Sequence, residues 1–343
     1  MKTSNKITMQ DVAREAGVST ATVSRVLADF KGATSDTTAK RVRDVATRLG
    51  YVVNSVAASL RRERTSTVGL IIADIANPFF GRLASGVENI LSRQNFAVLL
   101  ANSGNSVKEE KRLLRLMTEK QVDAVIMASS AADGRHIEEA IAHGMRIVLV
   151  DTEFSGVNAE TIVIDNRRAA EEAVEHLLML GHRRIAVING QLQASFDRER
   201  LAGYHDAFAQ RGLMVDPALV LNGASTYEGG QAIVRELLAG KQSVTAIFAT
   251  NNLMTMGAIA AVLEAGLRIP DDLSIVGFDD MEWYPMFQPA ITAVSQPAYQ
   301  LGQVAAEHLL YVMSSGRTPK NNARVVLETE LIIRRSTTPL LEA

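Results

Sequence analysis

From Thr67 onward, short apolar runs alternate with amphipathic stretches, and this alternation leaves few folds open to the chain. The runs read VGLIIADI, FAVLLANS, DAVIMASS, RIVLVD, TIVID, RIAVING, TAIFATN, LSIVGFDD and ITAVSQP. Between them, residues 80–94, 108–119, 167–180, 199–211, 227–239 and 252–265 carry apolar side chains at helical spacing. A strand that is apolar along its whole length must be covered on both faces. The pattern therefore predicts parallel sheets flanked by helices. Some ten such strands exceed one sheet, and 343 residues exceed one comfortable core, so two doubly wound subdomains are expected. The strands before and after residue 165 each begin a fresh strand–helix series, which sets the boundary there.

Ahead of that region the period differs. In ITMQDVAREAGVSTATVSRVL, residues 7–27, Thr8 is placed to cap a first helix, with Asp11 three residues on in a capping-box position. Val12, Ala13 and Ala16 form its apolar stripe, and Gly17 supplies a tight turn. Ser19 caps a second helix that buries Val23, Val26 and Leu27. This spacing reads as a helix-turn-helix, with an ordinary helical hairpin as the alternative. Thr20, Ala21, Thr22, Ser24 and Arg25 stay on or beside the exposed face. Short side chains near a helix N-terminus, followed by an arginine, suit a DNA major groove. A third helix is expected from Ser35 to Leu49, with Val42, Val45, Ala46 and Leu49 inward and Gly50 ending it. Asn54 then caps a short helix followed by Arg61, Arg62 and Arg64. Such a helix is too short to hold itself in water, so a partner must order it.

Charge follows the same division. Residues 1–65 hold 12 Lys/Arg against 6 Asp/Glu, whereas the rest of the chain holds 24 against 32. A basic head on an acidic body predicts nucleic acid as the partner of the head. The chain has no cysteine, which excludes disulfides and thiolate chemistry. MKTSNKITMQ carries no apolar signal segment and no run is long enough to span a bilayer, so a cytoplasmic protein without membrane contact is expected. An enzyme is not expected. No G-x-G-x-x-G follows a strand, there is no P-loop or G-x-S-x-G, and no histidine pair stands at i, i+4. The six histidines (136, 143, 176, 182, 205 and 308) read as surface or helix-end residues. Neither cofactor nor metal is expected.

Taken in order, DVAREAGVSTATVSRVL, NSVAASL, GLIIADIANPFF, LMLGHRRIAVING, RERLAGYHDAF, FATNN, GLRIPDDLSIVGFDD and ITAVSQP resemble the LacI/GalR-type (lactose-repressor) transcriptional regulators. The resemblance runs from about Ile7 to Arg335. It implies a homodimeric repressor with a helix-turn-helix domain at 1–53 and a hinge helix with linker at 54–66. The effector core is then like a periplasmic sugar-binding protein, with one subdomain from 67–164 plus 293–323, a second from 165–292 plus 324–336, and a tail at 337–343. By the same resemblance Thr20 and Ala21 read bases, Arg25 bonds guanine, and Ser19, Thr22 and Ser24 reach phosphates. In the hinge Asn54, Ala57 and Leu60 contact the operator, with Leu60 wedged between central base pairs of a pseudo-palindrome.

Open α/β sheets bind ligands at the carboxyl ends of their strands. Asp74, Asn77, Phe79 and Phe80 follow the first strand here, and Asp151, Asn251, Asp279 and Gln296 end later ones. By resemblance Phe79, Asp151, Arg200, Asn251, Asp279 and Gln296 match effector-pocket positions, with Phe196 and Trp283 on the walls. Arg200 could instead pair with Glu199 or Asp197 on a helix surface, one of the two phenylalanines could be core, and Asp74 and Asp165 could be strand-end caps. Carboxylates, amides and a guanidinium suit a polyhydroxyl ligand. A neutral sugar is the first expectation, a sugar acid the second and a nucleoside the third. Relatives often carry Asn-Asp where this chain has Asn251–Asn252, so a charge is missing that affects either ligand or subdomain contact. A transporter's solute-binding protein would share the core but lack the basic head.

Overall fold

The computed structural model describes residues 7–27, 34–51, 65–240, 243–315 and 323–340. Two compact units, 1–65 and 66–343, are distinguished.

In the first unit, α1 (Met9–Ala16) begins with the capping box set by the sequence. The Thr8 hydroxyl accepts from the Asp11 amide, and the Thr8 amide donates to the Asp11 carboxylate. The helix ends at Gly17 in the left-handed region (φ 64°), where a side chain would be strained. Ser19 Oγ accepts from the Thr22 amide at 3.1 Å at the start of α2 (Thr20–Leu27). Helix α3 (Asp36–Leu49) is capped by Ser35 and ends at Gly50. Val12, Val23, Val26, Val42 and Val45 meet in one small core, to which all three helices contribute.

The second unit contains two six-stranded sheets. In the first, β1 (Thr67–Ile72), β2 (Ala97–Asn102), β3 (Ala124–Met127), β4 (Ile147–Val150) and β5 (Glu160–Ile164) are joined by β11 (Arg324–Leu327). Their order is β11-β5-β4-β3-β1-β2, and every pair is parallel. Helices α4 (Pro78–Arg93), α5 (Val107–Glu119) and α6 (Arg135–Ala142) connect these strands. The second sheet takes β6 (Ile185–Asn189), β7 (Val220–Asn222), β8 (Ala246–Ala249), β9 (Ser274–Phe278) and β10 (Thr292–Ser295), with β12 (Glu330–Ile332) antiparallel at its edge. Its order is β12-β10-β9-β8-β6-β7. Helices α7 (Asn166–Met179), α8 (Ser195–Gln210), α9 (Tyr227–Ala239) and α10 (Asn252–Glu264) accompany it, and α11 (Ala298–Ser315) returns to pack on α4. Strands β1, β3, β4, β5, β6, β8 and β9 are buried almost end to end, as their unbroken apolar runs require.

The chain first leaves the first sheet after β5 and enters the second at β6, by way of α7. Both later crossovers move. Strand β10 pairs with β9, so the chain leaves the second sheet after Ser295 rather than at residue 292. Strand β11 pairs with β5, so the last crossing falls between Leu327 and Glu330 rather than at residue 323. An apolar strand fits either sheet, and only its partner decides which.

Candidate functional site

Two sites follow from this framework, one in each unit. In the first, Val23 and Val26 point α2 into its core, leaving Ser19, Thr20, Ala21 and Arg25 exposed and Thr22 and Ser24 half-buried. The Ser19 hydroxyl is engaged as a cap and shares a hydrogen bond with Thr22 Oγ1 at 2.9 Å. Thr20, Ala21 and Arg25 are therefore the side chains that α2 leaves free for a groove. Asn54, Ala57 and Leu60 lie outside the described residues.

In the second unit a polar cavity opens where the strands of both sheets end. Of the residues expected there, Phe79, Asp151, Phe196, Arg200, Asn251, Asp279 and Gln296 all line it. They come from turns after β4, β8, β9 and β10 and from the first turn of α4 and the first two turns of α8, which is the placement expected for open α/β sheets. Phe79 and Phe80 pack edge to face at 5.1 Å, and both line the cavity as well as the core. Asp74 does two jobs, accepting the Ala76 amide and lining the cavity. Asp165 is only a cap, on α7.

Arg200 is buried and does not pair along the surface of α8. Its Nε–H donates to Asn166 Oδ1 at 2.8 Å and Nη1–H to the Thr250 carbonyl at 2.7 Å. Its guanidinium lies 3.8 Å from the centre of the Phe278 ring and 5.4 Å from that of Phe196. Held on several sides, it presents a fixed positive fork.

Around it stand three buried carboxylates. Burial pushes Asp151 up to about 6, opposed by Arg200 and reinforced by Asp279. Burial likewise pushes Asp197 up to about 7, against the pull of Arg200 and the Gly190 and Gln191 amides. Asp279 is raised by burial, partly offset by Arg200 and by hydrogen bonds from Gln296 and the Asn252 amide. Asp151 and Asp279 also occupy left-handed backbone (φ 65° and 67°), a conformation that costs free energy and concentrates at functional sites. A Cβ at Gly190 would collide with both the Ser225 hydroxyl and the Asp197 carboxylate.

Trp283 is displaced from its expected place. Met281 and Tyr284 take the inward positions after β9, so Trp283 turns outward, 37 % exposed, into a groove with Arg82, Glu282 and Tyr299. Of the six histidines, His143 and His205 are exposed and His136 and His176 stand at helix ends as expected, but three are buried rather than at the surface. His136 is buried against Glu110 at 2.7 Å, and His176 and His182 are buried beneath the C-terminal segment. A polar side chain that finds a partner inside loses its reason to stay at the surface. Ser130, Gln191 and Ser225 line the cavity as well. They were legible by the same strand-end rule, since each follows an apolar run, whereas Asp197 required knowing which face of α8 turns inward.

Contacts cross the cleft on both sides. Asn252 Nδ2 donates to Asn77 Oδ1 at 2.8 Å, so Asn252 serves a subdomain contact. Arg82 pairs with Glu282 at 2.7 Å, and the Thr152 and Ser195 hydroxyls meet at 3.1 Å.

Residues 8–54 match the family model for bacterial regulatory proteins of the lacI family, and residues 65–334 match that for periplasmic binding proteins and the sugar-binding domain of the LacI family. Catabolite control protein A of Priestia megaterium is 36% identical over 332 residues, covering 96% of this chain and 99% of its own. The solved complex of the transcriptional regulator CelR with cellobiose is 33% identical with a TM-score of 0.72, covering 96% and 99% of the two chains. A Lac repressor structure bound to ONPG in the repressed state is 26% identical with a TM-score of 0.86, covering 97% and 100%.

Proposed function

The chain belongs to the LacI family of bacterial regulatory proteins, and from that premise we propose a repressor that binds a pseudo-palindromic operator as a homodimer and is controlled by a small sugar-type effector. The observation that carries the effector reading is the cleft itself, where one fixed guanidinium faces three buried carboxylates between two aromatic walls. Adjacent hydroxyls donate to carboxylates and accept from a guanidinium at once, and ring faces cover the C–H side of a sugar. The cellobiose bound by CelR is a ligand of that class. The excess of carboxylates argues against a sugar acid, since a second anion would be repelled. The protein acts by binding and not by catalysis, in the cytoplasm where its operator lies. Among the described residues no helix is long and apolar enough to cross a membrane.

Because contacts span the cleft, a ligand held by both subdomains shifts their relative position and hence the affinity for DNA. DNA contact is assigned to Thr20, Ala21 and Arg25, with Ser19, Thr22 and Ser24 at phosphates. Dimerisation is supported by β2, an edge strand of a parallel sheet whose Leu99 and Leu100 are 37 % and 40 % exposed. Strands of parallel sheets are normally covered on both faces, and a second copy provides that cover.

The test is an operator selected from random duplex DNA, followed by release on titration with sugars. Wild type should release the operator for one sugar, whereas Asp279→Ala and Arg200→Ala should bind the operator without responding. A normal response in both variants would remove the cleft from the mechanism.

A further inference from the structure

The charge of the cavity wall says more about the effector than its class. Four carboxylates line it, Asp74, Asp151, Asp197 and Asp279, against Arg200 as the single cationic side chain among the described lining residues. Arg200 is already engaged by Asn166, the Thr250 carbonyl and the face of Phe278. Its single charge holds all three buried carboxyls down in part, but one cation cannot offset four carboxylates.

Two buried atoms in this wall have no partner among the described residues, Asp151 Oδ1 and Gln296 Oε1, in side chains only 5 % and 8 % exposed. Both are acceptors. The Asp279 carboxylate, by contrast, is held by the Gln296 side-chain amide and the Asn252 backbone amide. What the wall lacks is therefore hydrogen-bond donors and positive charge, on the side where Asp151 stands. A neutral sugar supplies the donors without the charge. A sugar acid adds to the excess. An ammonium supplies three donors and one charge in a single group.

Resting on the reading of the cleft as the effector site, we propose that the effector carries a protonated amine among its hydroxyls and belongs to the amino sugars. The amine sits against Asp151, within the field of Asp197 and Asp279, while a neighbouring hydroxyl accepts from Arg200. Phe79 and Phe196 cover the ring. A cation there favours the ionised carboxylates. The charged groups that face Asp151 are Asp74 beyond β1, Asp197 and Arg200 on α8, and Asp279 beyond β9. Binding should release protons between pH 5.5 and 7, where burial leaves Asp151 and Asp197 partly protonated.

Calorimetric titration of the full-length protein at pH 6.5 tests this, using glucose, galactose and mannose, each as the neutral sugar, the 2-amino-2-deoxy sugar and the uronic acid. One amine should bind at least tenfold more tightly than its neutral parent. Its heat should vary with buffer ionisation enthalpy in the sense of proton release. Asp151→Asn should remove most of the preference, and Asp151→Glu should restore part of it. A neutral parent that binds equally well or better overturns the amine and leaves the effector cleft standing. Binding of a uronic acid overturns the charge argument. Silence of the whole panel overturns the amino-hexose assignment, and operator release by any other sugar would show that the cleft reading survives it.

Discussion

At the residue scale, this protein places unlike demands on similar side chains. Arg25 and Arg200 are both arginines on helices, yet one is exposed in the last turn of α2 and the other is buried under four contacts. Arg25→Ala should lower affinity for the selected operator by about 1–3 kcal/mol, the size of a bidentate base contact, while sparing random DNA. Competition binding against random duplex reads this, and an equal loss on both would assign Arg25 to the phosphates. Asp151 carries a different consequence. Its native carboxyl titrates near 6 against an ordinary value of 3.8, so the folded state holds the proton more tightly than the unfolded chain. Stability from this group is present below the unfolded value and is lost as pH rises through the native one. Asp151→Asn should therefore be more stable than wild type at pH 8, by about 1–3 kcal/mol, with the gain gone by pH 4. Thermal unfolding at both pH values checks it, and a constant difference would mean that the carboxyl is not the cause. A site that stabilises the fold when its charge is removed is one kept for binding.

At the scale of elements, local chemistry set the helix-turn-helix almost completely. Thr8, Asp11, Gly17, Ser19, Ser35 and Gly50 each stand at a helix end, and each cap closes within a few residues of chain. Thr8→Ala should cost the first unit about 1 kcal/mol, read as faster hydrogen exchange at the Val12 and Ala13 amides. Unchanged exchange there would make the cap redundant. The Asp11 carboxyl, held below its usual range chiefly by the Thr8 hydroxyl, should add to the cap at neutral pH and lose that role as pH falls. The strands of the core were equally plain as apolar runs, but their membership in one sheet or the other was not. Strands β10 and β11 had the right composition for either sheet, and the crossovers were misplaced by a few residues for that reason.

At the scale of the whole molecule, function depends on surfaces that meet across long sequence separations. Asn77 reaches Asn252, and Arg82 reaches Glu282, only because the chain crosses between the sheets three times. The edge strand β2 carries its own prediction. Leu100→Glu should shift the protein toward monomer and weaken operator binding, because two readers on one two-fold axis bind far more tightly than one. Sedimentation at micromolar concentration measures the first effect, and a dimer that persists would move the interface elsewhere.

The sequence by itself determined what depends on neighbours along the chain. It settled the caps and stripes of the three N-terminal helices, the alternation that builds two sheets, the basic head, and the strand-end positions of Asp151, Asn251, Asp279 and Gln296. These follow from unbroken apolar runs, from a period of 3.6 residues and from groups that satisfy one another within a turn. Only the tertiary structure decided which face of α8 turns inward, bringing Asp197 and Arg200 to the cavity. The same packing turned Trp283 out, and it drew His136, His176 and His182 inside. Burial and desolvation arise from atoms distant in sequence, and it is desolvation that gives the cleft its raised carboxyls and its unfilled acceptors.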